Sequence, residues 1–221
     1  MNQEIWTAVD SYYEDLMVRS DPRFNKIIEA SKEAGLPPIS ITANLGKLLE
    51  LLVRFLGARR ILEIGTLGGY STAWLARGLP PGGKLITLEI DSEHAAVARR
   101  NLSLFEFSGL IDIRVGDALD MLRTLDEDRE GPFDLIFIDA NKSQYSEYLD
   151  WSIKLSRPGT AIIADNVVRR GNIIKENSED PSVKGIRDFN LKVSNEPRLR
   201  ATVLQTVSSK GYDGFSLIYV D

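Results

Sequence analysis

Apolar positions recur along this chain in two alternating rhythms. From residue 60 onward, short continuous apolar runs are each followed by a stretch of helical period. Arg60 to Ile64 precedes STAWLARGL, KLITLEI precedes DSEHAAVARRNLSLFEF, IDIRVG precedes ALDMLRTL, FDLIFIDA precedes KSQYSEYLDWSIKL, and TAIIADNV forms a fifth run. A strand can be apolar throughout only where both its faces are buried, so the pattern predicts a parallel sheet covered by helices. The last two runs, RLRATVLQTV and GFSLIYV, joined across SSKGYD, predict an antiparallel hairpin at the edge of that sheet.

Ahead of this core the rhythm is helical only. Residues 2 to about 34 read as two helices, the first with Ile5, Val9, Tyr12, Tyr13 and Leu16 on one stripe, the second opening on the cap-then-proline pair Asp21-Pro22. Gly35-Leu36-Pro37-Pro38 breaks the chain, and TANLGKLLELLVRFLG predicts an amphipathic helix ending at Gly57. With no internal repeat and no low-complexity linker, the reading is one domain over 1–221: an N-terminal helical extension (1–38) and an α/β core (39–221).

Composition narrows the chemistry. A chain of 221 residues, 43% hydrophobic and 27% charged, is the size of one soluble domain. It contains no apolar run long enough for a membrane span, and MNQEIWTAVD lacks a signal-peptide pattern, so a cytoplasmic enzyme with no membrane partner is expected. Cysteine is absent and His94 is the single histidine, expected to be a solvated helix residue. Any bound metal must then take oxygen ligands, which selects Mg²⁺, Ca²⁺ or Mn²⁺. The net charge of -5 weighs against a nucleic-acid-coating surface.

Two groups of residues carry candidate chemistry. In Glu63-Ile64-Gly65-Thr66-Leu67-Gly68-Gly69 the first strand runs into a G-x-x-G-G turn rather than the G-x-G-x-x-G of dinucleotide sites, which favours an adenosine ligand without a pyrophosphate. Glu89, ending the second strand, is placed to bond ribose hydroxyls, and Glu63 offers a carboxylate that attracts a cationic amino or sulfonium group. Asp139 follows the fourth strand, Asp165-Asn166 follow the fifth, and Lys142 stands three residues beyond Asp139. Two readings of this second group stay open. In one, Asp139, Asp165 and Asn166 are hard-metal ligands and Lys142 a base. In the other, Asp139 caps the next helix, Lys142 is solvated and Asp165-Asn166 is a turn.

In these motifs the sequence resembles the cation-dependent O-methyltransferases, the family of catechol O-methyltransferase and caffeoyl-CoA O-methyltransferase, and most of all their small bacterial members. The resemblance runs from about Ile39 to the C-terminus through LEIGTLGGYST, LEID, GDALDML, FDLIFIDANKSQY, LSRPGTAIIADNVVRRG and Tyr212-Asp213-Gly214-Phe215. It implies the class I S-adenosylmethionine-dependent methyltransferase fold: a Rossmann-like sheet of seven strands, the last antiparallel, with helices on both faces. It further implies Asp139, Asp165 and Asn166 as metal ligands and Lys142 as the catalytic lysine. Glu63, Gly65, Thr66, Ser71, Glu89 and Ala118 correspond to positions that hold S-adenosylmethionine, with Asp117 beside the adenine and Asp139 near the methyl donor. A homodimer is implied as well.

The expected activity is therefore Mg²⁺-dependent methylation, by S-adenosylmethionine, of a hydroxyl on a catechol-like or hydroxycinnamoyl-type small molecule. A hydroxylated uridine in tRNA, modified by some bacterial members, is the alternative acceptor. Rivals of other kinds are a nicotinamide-dependent oxidoreductase, opposed by the G-x-x-G-G turn, and a non-catalytic cofactor-binding module. Where the plant enzymes line the acceptor pocket with Trp and Asn, this chain has Val167, Val168, Arg169 and Arg170, so their acceptor does not transfer; Arg170 either binds an anionic substrate group or is exposed.

Overall fold

In the computed structural model, residues 2–18 and 21–221 are described. The predicted N-terminal extension also includes Met1, Arg19 and Ser20, which lie outside the described residues. Its first helix, α1 (Gln3–Tyr13), buries none of its residues and passes into a π-helical turn, Glu14–Val18. Helix α2 (Pro22–Glu33) starts where Asp21-Pro22 predicts, the Asp21 carboxylate accepting from the Arg23 N–H at 2.9 Å. Helix α3 (Ala43–Leu56) is capped by Thr42 and stops at Gly57, whose φ of +59° is the left-handed turn that glycine adopts without strain.

The strands are β1 (Arg60–Ile64), β2 (Lys84–Glu89), β3 (Ile111–Val115), β4 (Leu135–Ile138), β5 (Ala161–Asp165), β6 (Leu199–Ser208) and β7 (Gly211–Val220). They form one seven-stranded sheet in the order β3-β2-β1-β4-β5-β7-β6. The last strand, β7, runs antiparallel to β5 with Asp165 opposite Phe215, and β6 is left at the edge, as the hairpin reading and the resemblance both predict. Among the described residues no helix is long and apolar enough to cross a membrane.

The chain divides into two compact units. The first runs to Ala118 and includes Ser208–Lys210. Within it β1, β2 and β3 are mutually parallel, with Leu62 opposite Ile86 and Leu88 opposite Arg114. Helix α4 (Tyr70–Gly78) follows the glycine turn, and α5 (Ser92–Leu102) is capped by Asp91, whose carboxylate accepts from the N–H groups of Glu93 and His94. The apolar period continues to Phe107, but α5 ends five residues earlier. There the chain turns so that Phe105 is buried against Phe24 of α2, ring centroids 5.1 Å apart, a contact that a straight helix does not make.

The second unit holds Leu119–Val207 with Gly211–Asp221, and in it β4 and β5 are parallel. Helix α6 (Ala118–Glu127) leads into it, and α7 (Tyr145–Lys154) is preceded by a 3₁₀ turn, Lys142–Gln144. Helix α8 (Pro181–Asn195) is absent from the sequence reading. It opens on Asp180-Pro181, the same signal as Asp21-Pro22, but buries only Val183, Gly185, Ile186 and Phe189 among charged neighbours, too sparse a stripe for periodicity to reveal.

In the first unit α3 and α4 cross where Gly46 faces the fully buried Trp74. A Cβ at Gly46 would stand 2.3 Å from Trp74 Cδ1, with Trp74 itself packed on Phe24 at 4.1 Å. Replacing a mid-helix glycine by alanine ordinarily stabilises by about 1 kcal/mol through helix propensity. Here the overpacking of a ring that has no room to move wins, at about 1–3 kcal/mol. Gly46→Ala is expected to lower the urea midpoint without changing the slope of the transition; an unchanged or raised midpoint counts against this account of the crossing.

Candidate active site

The first group of candidate residues is built on the carboxyl ends of β1 and β2. Glu63, fully buried on β1, accepts from three hydroxyls: Ser71 at 2.6 Å, Thr72 at 2.5 Å and Thr87 at 2.6 Å. A buried carboxylate is tolerable only when its lone pairs are met in this way. Thr87 also shares a 2.6 Å hydrogen bond with Thr66, so the glycine turn, β1, β2 and the first turn of α4 meet in one network. Glu89, 7% exposed, accepts from the backbone N–H of Thr66 at 3.3 Å, of Leu67 at 2.7 Å and of Asp91 at 3.0 Å.

Glu89 therefore holds the turn itself. Gly65 (φ +104°), Leu67 (φ +50°) and Gly69 (φ +83°) give that turn its shape, and a Cβ at Gly68 would lie 2.1 Å from Ser31 Oγ. His94 is not the free helix residue expected, since its Nδ1 lies 3.8 Å from Glu89 Oε1. Gly116 donates its N–H to the Glu89 carbonyl at 2.9 Å, which brings the exposed Asp117 and the half-buried Ala118 to the end of β2. Of the residues predicted here, Glu63, Thr66, Ser71 and Glu89 are thus connected through hydrogen bonds, with Gly65 in the same turn. Thr87 was missed, although a lone polar residue inside an apolar strand is a signal that could have found it.

The second group stands on the carboxyl ends of β4 and β5. Lys142 Nζ is 2.6 Å from Asp139 Oδ1, and the lysine side chain is only 12% exposed. Asp139 does not cap the helix that follows: Asn141 caps the 3₁₀ turn, accepting from the Ser143 N–H at 3.2 Å. Asp165, 6% exposed, accepts from the Asn166 N–H at 2.8 Å. Asp139 is therefore not a cap and Lys142 is not a solvated lysine.

Electrostatics set Asp165 apart. Burial pushes its carboxyl up to about 7, and the neighbouring Asp139 charge adds to the rise, while the Asn166 N–H and Lys142 work against it. A buried carboxylate with a second carboxylate beside it suits a hard divalent cation, which would relieve the burial of Asp165 and the charge of its neighbour. Among the described residues no third Asp, Glu or His joins them.

The loop after β5 keeps Asn166 (φ +59°), Arg169 (φ +54°) and Arg170 (φ +55°) in the left-handed region. Asp213, quoted in the C-terminal motif but given no role there, holds this loop: its Oδ1 accepts from the N–H groups of Val168 at 3.1 Å, Arg169 at 2.9 Å and Gly214 at 3.0 Å. Arg170 is exposed and Arg169 partly buried. On the other side, α8 approaches through Gly185, where a Cβ would stand 2.4 Å from the Lys142 carbonyl oxygen, so only glycine lets the helix lie against the Lys142 turn.

Known proteins match the chain over nearly its whole length. The sequence profile of the family described as O-methyltransferase matches residues 15–218. The catechol O-methyltransferase of Niastella koreensis is 48% identical over 220 residues, covering 100% of both chains. That of Mycobacterium tuberculosis is 45% identical over 212 residues, covering 96% of this chain and 94% of the other. The crystal structure of the O-methyltransferase from Bacillus cereus in complex with SAH is 49% identical, with a TM-score of 0.98 over 100% of each chain. In sequence and in fold alike, this chain belongs to the O-methyltransferase family.

Proposed function

We propose that this O-methyltransferase transfers the methyl group of S-adenosylmethionine to a hydroxyl of a catechol-like or hydroxycinnamoyl-type small molecule, with Mg²⁺ held by Asp139, Asp165 and Asn166. The observation that carries the reading is the buried Asp165 beside the partly exposed Asp139, to which Lys142 is bonded at 2.6 Å. The acceptor class is supported by the names of the two relatives, both catechol O-methyltransferases, and the donor by SAH in the Bacillus cereus structure. The homodimer suggested by the resemblance is supported by Ile5, Tyr12 and Met17, each more than 60% exposed along the N-terminal helical stretch.

On the donor side, Glu63 fixes the hydroxyls of Ser71, Thr72 and Thr87, and Glu89 fixes the backbone of the glycine turn, so these groups are held before any ligand arrives. We assign Glu89, with Gly65, Thr66, Ser71, Asp117 and Ala118, to the donor. On the acceptor side Lys142, in its neutral amine form, accepts the hydroxyl proton at Nζ. A divalent cation, when bound, supplies acidification of a coordinated hydroxyl and competes for the Asp139 carboxylate that otherwise pairs with Lys142. The protein's own contribution is positioning and charge.

Three outcomes test this. Methyl transfer to a catechol is expected to vanish with a chelator and return with Mg²⁺ or Mn²⁺; full turnover by metal-free protein overturns the metal assignment. Lys142→Ala is expected to lower kcat by about 10²–10⁴-fold, the range for loss of a general base, with donor affinity nearly unchanged. The deficit is expected to shrink for nitrocatechol, whose hydroxyl ionises unaided, and equal losses for both acceptors would assign the proton to another route.

The third outcome is a pH dependence. Asp165 binds its proton more tightly folded (about 7) than unfolded (3.8), so its contribution to metal-free stability is greatest at low pH and is lost as the pH rises through about 7. Mg²⁺ affinity, which needs the carboxylate, is expected to rise over the same window. Chemical denaturation of wild type and Asp165→Asn across that range reads the effect, and identical slopes for the two proteins would refute it.

A further inference from the structure

We propose that Tyr145 is a positioning residue for the carboxylate pair, its one hydroxyl tying together the strand ends that carry Asp139 and Asp165. The inference rests on the metal-site reading above. The hydroxyl lies 3.1 Å from the carbonyl oxygen of Ile138, the residue before Asp139, and 3.0 Å from the carbonyl oxygen of Asp165 itself, donating to both. The β4–β5 ladder ends one step earlier, at Ile138 opposite Ala164. Tyr145 thus bridges the strands at the step where the ladder stops.

The ring does a second job. Its face receives the Lys142 ammonium, with Nζ 5.2 Å from the centroid, and the ring packs against Phe189 at 5.6 Å and Tyr148 at 6.2 Å between centroids. One fully buried side chain therefore touches the backbone of one proposed ligand, the residue preceding the other, and the ammonium of the proposed base. Burial holds its phenol well above the ordinary range, so the hydroxyl keeps the proton it donates. Tyr145 reaches neither donor nor acceptor in this argument; it acts through the residues it holds. Partners of metal ligands commonly carry tenfold or more in metal affinity.

Tyr145→Phe keeps the ring, its packing and the Lys142 contact, and removes only the bridge. Tyr148→Phe is the control, because the Tyr148 hydroxyl donates to Gln144 at 2.9 Å. Mn²⁺ binding to the full chain, with no donor or acceptor present, is measured by calorimetry for wild type, both tyrosine variants and Asp165→Asn. Tyr145→Phe is expected to weaken Mn²⁺ by about tenfold, Tyr148→Phe to bind as wild type, and Asp165→Asn to lose the site. The Mn²⁺-induced rise in Tm, taken within each variant, gives the same comparison even if Tyr145→Phe is destabilised. Wild-type Mn²⁺ affinity in Tyr145→Phe alongside loss in Asp165→Asn overturns the positioning role and leaves the metal site standing. Wild-type affinity in Asp165→Asn overturns the metal site and this proposal with it.

Discussion

A parallel sheet with apolar strands restricts where its polar chemistry can stand. Ile61, Leu62 and Ile64 of β1, Leu135 to Ile138 of β4 and Ile162 to Ala164 of β5 are all buried, so side chains that must meet a ligand are confined to the strand ends and the turns after them. Most candidate residues obey that restriction; Ser71 and Ala118 stand in the first turns of the helices that follow, and Glu63 lies inside β1. Glu63 breaks it at a cost of about 1–3 kcal/mol if left unpaired, and the hydroxyls of Ser71, Thr72 and Thr87 are the compensation.

The two strand-end groups handle buried charge in opposite ways. In the first unit each carboxylate is satisfied by the protein: Glu63 by hydroxyls, Glu89 by backbone N–H groups. Such a network is rigid and asks for nothing further to be stable. In the second unit Asp165 is buried beside another acid and receives a backbone N–H from Asn166, and its carboxyl is pushed to about 7. That asymmetry separates carboxylates whose burial is met by hydrogen bonds from one whose burial is met only in part.

Backbone strain follows the same division of labour. Leu67 and Arg169 are left-handed residues that are not glycine, a conformation costing of order 1–3 kcal/mol each. Each has its N–H accepted by a carboxylate from elsewhere in its own unit, Glu89 for Leu67 and Asp213 for Arg169. The strained turns are thereby fixed by acids that lie 22 and 44 positions away in sequence.

Most of the fold could be read from the residues in order, because the physical rules involved are local. Doubly buried strands show as apolar runs, Asp21-Pro22 and Gly57 mark helix ends, and the acids and amide after β2, β4 and β5 stand where chemistry must be. Tertiary structure alone showed that Asp139 does not cap the turn that follows and that Lys142 pairs with it, since a cap and an ion pair need the same spacing. It alone supplied α8, whose buried stripe is interrupted by charges. It alone gave roles to Thr87, Tyr145, Gly185 and Asp213 as well. Their partners lie at distances that follow no helical or strand period, and hydrogen bonds across such distances exist only once the chain has closed around them.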